Sequence, residues 1–113
     1  MKKAKTKAER DYHELVASLP CVLCDALTDV QQTGTTVHHA RTEQGLSQRA
    51  SHWIVAALCH DCHQGPCGVH GDRSLLRIAK LSELDLVALT FQAAMAHKAC
   101  DQMTALSQAR GEY

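Results

Sequence analysis

Two short stretches, CVLC at residues 21–24 and CHDC at residues 59–62, decide how this 113-residue chain folds. Each holds two thiols in one tight knuckle, and two such knuckles supply the four soft ligands that a tetrahedral zinc ion takes. A metal joining Cys21 and Cys24 to Cys59 and Cys62 closes a loop of 34 intervening residues. Four protein ligands leave no open position, so this zinc holds structure and performs no chemistry. An iron–sulfur cluster would use the same ligands and is the lesser reading. Cys67 and Cys100 stand outside the pattern.

Composition agrees with a stapled fold. The length suits a single domain over residues 1–113, and a chain this short buries only about two thirds of its unfolded surface. Aromatic residues make up 4% of the chain, thin material for a core. No run approaches the roughly 20 apolar residues that cross a bilayer, and the basic start MKKAKTKAER leads into no apolar signal segment. The expected location is therefore cytoplasmic, where six cysteines point to metal ligation before disulfides.

Formal net charge is zero, yet ten of the twelve basic residues lie before residue 81. Lys2, Lys3, Lys5 and Lys7 crowd a start read as a flexible basic tail over residues 1–7. That tail is either a phosphate-contacting arm or a solvated terminus.

Between and around the knuckles, the spacing of apolar residues predicts the elements. Ala8, Tyr12, Leu15, Val16 and Leu19 recur at helical spacing, giving a helix from Ala4 to Leu19 that Pro20 ends. CVLC reads as a turn and 25–34 as a loop. TTVHHA, 35–40, and HWIVAALC, 52–59, read as strands joined by a polar loop over 41–51. The glycine-rich segment after Cys62 cannot continue as one long helix. Leu75, Leu76, Ile78 and Ala79 form a short amphipathic piece. Ser82, with Asp85 three residues on, caps a C-terminal helix over 82–106 whose stripe of Leu84, Val87, Ala88, Phe91, Ala94 and Met95 is expected to face the core.

His38 and His39 are adjacent on the first strand, where successive side chains point to opposite faces. One can bind a metal while the other addresses a water from a different direction, although a His-His pair alone is more often structural. Context strengthens it, because the pair lies between the knuckles and His63 directly follows the second, giving CxxC, HH, CxxCH.

Over residues 37–73, VHHARTEQGLSQRASHWIVAALCHDCHQGPCGVHGDR, the chain resembles the HNH, or ββα-metal, endonucleases. Within them it is most similar to the phage-encoded recombination-enhancement nucleases, the RecA-dependent branch. TKAERDYHELVASLPCVLC also looks like that family's start, so the resemblance covers roughly residues 5–90. It implies an α+β fold: a small zinc-stapled ββα-metal core with flanking N- and C-terminal helices. It also implies a metal-dependent DNA endonuclease that hydrolyses phosphodiester bonds in phage recombination, in a bacterial cytoplasm, with DNA and a host recombinase filament as partners.

Carried over by position, His39 matches the general base, and a neutral imidazole can take a proton near pH 7. His38 matches the first ligand of a catalytic divalent metal, Mg2+ or another cation, with His63 and His70 as further ligands. His52 stands near the motif's central Asn, where it orients the base, binds metal or caps the strand. His13, His60 and His97 receive no role. If Cys67 replaced His70 as ligand, the site would favour a softer metal than magnesium. Arg41, Arg49 and Arg73 flank the motif and are candidate phosphate contacts, or solvated loop charges. The competing reading is a non-catalytic zinc-ribbon-like module that binds nucleic acid or protein. It accounts for the cysteines and leaves the histidines unexplained.

Overall fold

The computed structural model describes residues 4–40 and 51–109, with side chains through Thr104. Helix α1, Lys7–Ala17, opens on a capping box in which the Thr6 hydroxyl accepts from the Glu9 amide while the Glu9 carboxylate accepts from the Thr6 amide. That box sets the start three residues later than the sequence expectation. Lys7 therefore lies in the first turn, and Lys5 is tied back to His13, so the basic tail expected over 1–7 does not run that far. Lys2 and Lys3 lie outside the described residues.

The CVLC knuckle, expected as a turn, is the start of a short helix, α2, Val22–Ala26. Cys21 is its N-cap, and the Cys21 sulfur accepts from the Cys24 amide. A thiol capping its own knuckle is what hides this helix from pattern reading. Strands β1, Thr35–His39, and β2, Val55–Cys59, pair antiparallel with His38 opposite Ala56 and His39 opposite Val55. The connecting loop expected over 41–51 falls outside the described residues except for Ser51, and with it Arg41 and Arg49. Helix α3, His60–Gln64, starts directly from Cys59; it is too short to show a sequence period. Two further helices follow, α4 at Ser74–Ala79 and α5 at Glu83–Ala109.

Strand β2 is buried along its whole length, with β1 on one edge and α5 packed across it. The other edge of β2 would leave a buried amide unpaired, but the Ala57 N–H donates to Thr90 Oγ1 at 3.0 Å, and that hydroxyl donates on to the Leu86 carbonyl. Val16, Leu23, Leu58 and Leu86 close the core together with the four knuckle cysteines.

The face that α5 buries is the expected one only in part, at Ala94. Glu83, Leu86, Thr90 and Ala94 turn inward, while Leu84, Phe91 and Met95 stay exposed. Two of the inward residues are polar because each has a specific partner, β2 for Thr90 and β1 for Glu83. Those polar members break the apolar stripe that sequence reading follows. The result is a small α+β unit of one two-stranded sheet and five helices among the described residues.

Candidate functional site

The four knuckle thiols converge in the core. Cys21, Cys24, Cys59 and Cys62 are all buried and their sulfurs lie within 4.8 Å of one another. Cys24 Sγ is 3.8 Å from Cys59 Sγ and 3.6 Å from Cys62 Sγ. Ligands of a tetrahedral zinc at about 2.3 Å are separated by about 3.8 Å, so the cage already has the right edge length. Its charge state says the same. Hydrogen bonding from Cys62 holds the Cys21 thiol down to about 5, whereas burial and the adjacent Cys21 charge push Cys24 up to about 12. Cys62 is raised as well, first by its bond to Cys21 and then by burial. One thiolate is tolerated here, and Cys24 and Cys62 resist ionising beside it, so four thiolates require a compensating cation. The cluster could hold a zinc ion.

Because β1 is a strand, His38 and His39 leave it on opposite faces, and each gathers a separate set of histidines. His38 is 2% exposed and meets His63 from α3 and His70 from the loop beyond it, with one ring nitrogen of each within 4.8 Å of the others. Backbone bonds place the loop histidine: the Val69 amide donates to the Cys62 carbonyl at 2.8 Å and the His70 amide to the His63 carbonyl at 3.0 Å. This tight return needs Gly68, since a Cβ there would stand 2.5 Å from the Cys62 carbonyl oxygen. The knuckle cysteine and the loop histidine are thus parts of one local structure. Cys67 is exposed and joins neither cluster, leaving His70 as the third nitrogen.

Two polar contacts fix the tautomers of His63 and His38 within this trio. Thr36 Oγ1 donates its one proton to the Leu58 carbonyl at 2.8 Å, so toward His63 Nδ1, 2.9 Å away, it can only accept. His63 is therefore protonated at Nδ1 and keeps the Nε2 lone pair free. On the other side, His38 Nε2 donates to Glu83 Oε1 at 2.6 Å, which leaves Nδ1 of His38 available. A carboxylate behind a histidine in this way orients the ring and raises its basicity as a ligand.

Burial, followed by the neighbouring His38 and His70, pushes His63 down to about 4. Burial lowers His38 too, against the opposing pull of Glu83. His38 and His63 are therefore neutral near pH 7, the form that binds metal. His38 lies at the bottom, His63 is half-buried and His70 is exposed at the rim, which leaves an open side.

Glu83 is the functional residue that sequence reading missed. It sits in the first turn of α5, is nearly buried, and also lies 3.6 Å from Arg73 Nη2. A charged residue just after an N-cap ordinarily reads as helix-end electrostatics, so nothing local marks it. Arg73 occupies a left-handed backbone position, φ 63°, and donates to the Val69 carbonyl at 3.4 Å. With Arg77 and Lys80 it lines an open groove of about 470 Å³ whose acid is Asp85.

On the opposite face of β1, His39 Nε2 lies 3.2 Å from His52 Nδ1, and His13 of α1 completes a second trio. His13 is poorly placed to be a metal ligand, since both its nitrogens are engaged. Nε2 faces the His52 carbonyl at 2.6 Å and Nδ1 faces Lys5 Nζ at 3.2 Å. Burial lowers the proton affinity of His39, helped by His13, His52 and Lys5. The two trios also feel one another, as His39 is among the groups that depress His63. His60 and His97 are exposed and join neither trio. No protein-family model, curated protein or solved structure matches the chain. No helix among the described residues is long and apolar enough to cross a membrane.

Proposed function

We propose that the chain is a zinc-stapled, metal-dependent endonuclease of the HNH, ββα-metal kind, hydrolysing DNA phosphodiester bonds. The observation that carries the reading is the convergence of His38, on a strand, with His63, on the helix that follows the paired strand, and His70, beside a tetracysteine cage. That order of strand, strand and helix, with a histidine from each end, is the arrangement the resemblance implies.

His38, His63 and His70 would hold a divalent ion, which when bound stabilises charge developing on a scissile phosphate and its leaving oxygen. Three neutral imidazoles suit a late first-row ion better than Mg2+, which prefers oxygen ligands and keeps its waters. Glu83 holds His38 in the ligating tautomer. His39, neutral near pH 7 and less buried than His38, takes the proton from the attacking water. Arg73, Arg77 and Lys80 offer the cationic groove in which flanking phosphates are held. Zero net charge favours a partner that helps deliver DNA, and a recombinase filament is the partner that the resemblance implies.

The test is cleavage of plasmid DNA with Mg2+, Mn2+, Ni2+ or Zn2+, with and without a recombinase filament on single-stranded DNA. His39→Ala should lower the rate by about 10²–10⁴, the range for losing a catalytic acid or base, and His38→Ala, which removes a metal ligand, should also lower it. Both variants should keep one zinc. A folded, zinc-loaded protein inactive with every metal and on every DNA would instead support the binding-module reading.

A further inference from the structure

The second histidine trio has a hydrogen-bond logic that the nuclease reading does not by itself require. Lys5 is an ammonium, with donors only, so at 3.2 Å its Nζ must donate to His13 Nδ1. His13 is then protonated at Nε2, the nitrogen that lies 2.6 Å from the His52 carbonyl and donates to it. The two contacts select one tautomer of His13. That ring is 7% exposed, held on a helix whose start is fixed by a capping box.

A second contact ties the same segment to α1. Tyr12 packs on Trp53 with ring centroids 5.6 Å apart. The Ile54 carbonyl in turn accepts from the Ala40 amide, next to His39. The chain around His52 is thus anchored to α1 at successive residues and to the end of β1.

We propose that His13 is a positioning residue for His39, acting through the backbone and ring of His52, with Lys5 selecting the tautomer of His13. The inference rests on the nuclease reading in which His39 is the base. Between His39 Nε2 and His52 Nδ1, 3.2 Å apart, one nitrogen donates and the other accepts. If His52 donated, His39 would carry its proton on Nδ1 and have its remaining lone pair occupied, with nothing left to receive a proton from water. A working base requires the other arrangement. His39 Nε2–H donates to His52 Nδ1, His52 carries its own proton on Nε2, and His39 Nδ1 is the free acceptor. When Nδ1 takes the proton, the Nε2–H bond to His52 persists and supports the imidazolium.

The experiment uses the full-length zinc-loaded protein in two readouts. Long-range nitrogen–proton spectra of the 15N-histidine-labelled wild type should show His13, His39 and His52 all protonated at Nε2. A predominant Nδ1–H form of His39 or His13 in the wild type overturns the proposal without any variant or activity measurement. In cleavage assays, His13→Leu removes the donor to the His52 carbonyl and should lower kcat by about 10- to 100-fold, part of what a well-placed base contributes. KM, zinc content and divalent-ion affinity should stay within twofold. His13→Gln, whose amide can still donate to that carbonyl, should recover most of the lost kcat. Unchanged kcat in a folded His13→Leu protein, or no recovery in His13→Gln, overturns the proposal. A wild type that cleaves no DNA defeats the nuclease reading instead, and the spectra still decide the tautomers.

Discussion

Replacing Glu83 by Gln isolates the charge behind His38 while leaving an acceptor of the same shape. The existing bond is short, 2.6 Å, between side chains that are 2% and 10% exposed, so little water screens it. A hydrogen bond to a charged partner contributes about 1.5–3 kcal/mol and a neutral one about 0.5–1.5 kcal/mol. The difference, roughly 1–1.5 kcal/mol, corresponds to about a tenfold loss of metal affinity, at the lower end of the 10- to 100-fold range for such supporting residues. Calorimetric titration with Mn2+ is the suitable assay, because a hard ion leaves zinc in the thiolate cage. Glu83→Gln should raise the Mn2+ dissociation constant about tenfold while keeping one zinc per chain. Glu83→Leu, which strands the His38 N–H, should raise it further. Arg73 is half exposed and loses little when the carboxylate goes, so the fold should survive. Mn2+ affinity within twofold of wild type in Glu83→Gln would refute the role assigned to this carboxylate.

Other expectations follow from the same structure. Elemental analysis should find one zinc per chain, and because zinc binding in small domains contributes about 10–16 kcal/mol, Cys59→Ser should leave the circular dichroism of an unfolded chain. Thr90→Val deprives the buried Ala57 amide of its acceptor and should cost about 1–3 kcal/mol in urea unfolding, against near zero if β2 can shift to compensate. Stability should also depend on pH through His63, whose folded value of about 4 lies below the ordinary 6.5. Above about pH 6.5 neither state is protonated, whereas between there and about 4 the unfolded chain takes the proton first, so stability falls as pH falls across that window. Urea midpoints at about pH 7.5 and 5.5, with zinc content checked at both, should drop toward acid in wild type and drop less in His63→Asn. A wild-type midpoint that is flat or higher at the acid pH would contradict the burial argument.

Much of the site was legible because its chemistry sits in short, dense motifs. The cysteine knuckles announce a tetrahedral cage through spacing alone, and the paired histidines on an alternating strand announce two faces. His70 was within reach of sequence reasoning only through resemblance, since its placement depends on a glycine turn whose backbone bonds no periodicity shows. Glu83, His13 and Lys5 were not legible. Each acts across more than one element, and each looks locally like something ordinary: a helix-end acid, a helix-surface histidine, a basic terminal residue. The buried face of α5 was misread for a related reason. Thr90 and Glu83 point inward to satisfy an amide and a histidine, so polarity, the usual mark of a solvent face, here marks the inner one.

The register of the two strands has a chemical meaning beyond stability. Moving β1 by one residue against β2 would reverse the facing of every side chain on it. His39 would then turn toward His63 and Glu83, and His38 toward His13 and His52. A slipped hairpin would still present two histidines to two polar clusters, but with the proposed roles of ligand and base exchanged. The Thr35 and Thr36 hydroxyls, bonded to the Leu19 carbonyl at 2.7 Å and to the Leu58 carbonyl at 2.8 Å, act as the indexing pins that prevent this inversion. Under the proposed nuclease reading, which histidine serves as ligand and which as base would therefore depend on two threonines that need touch neither metal nor substrate.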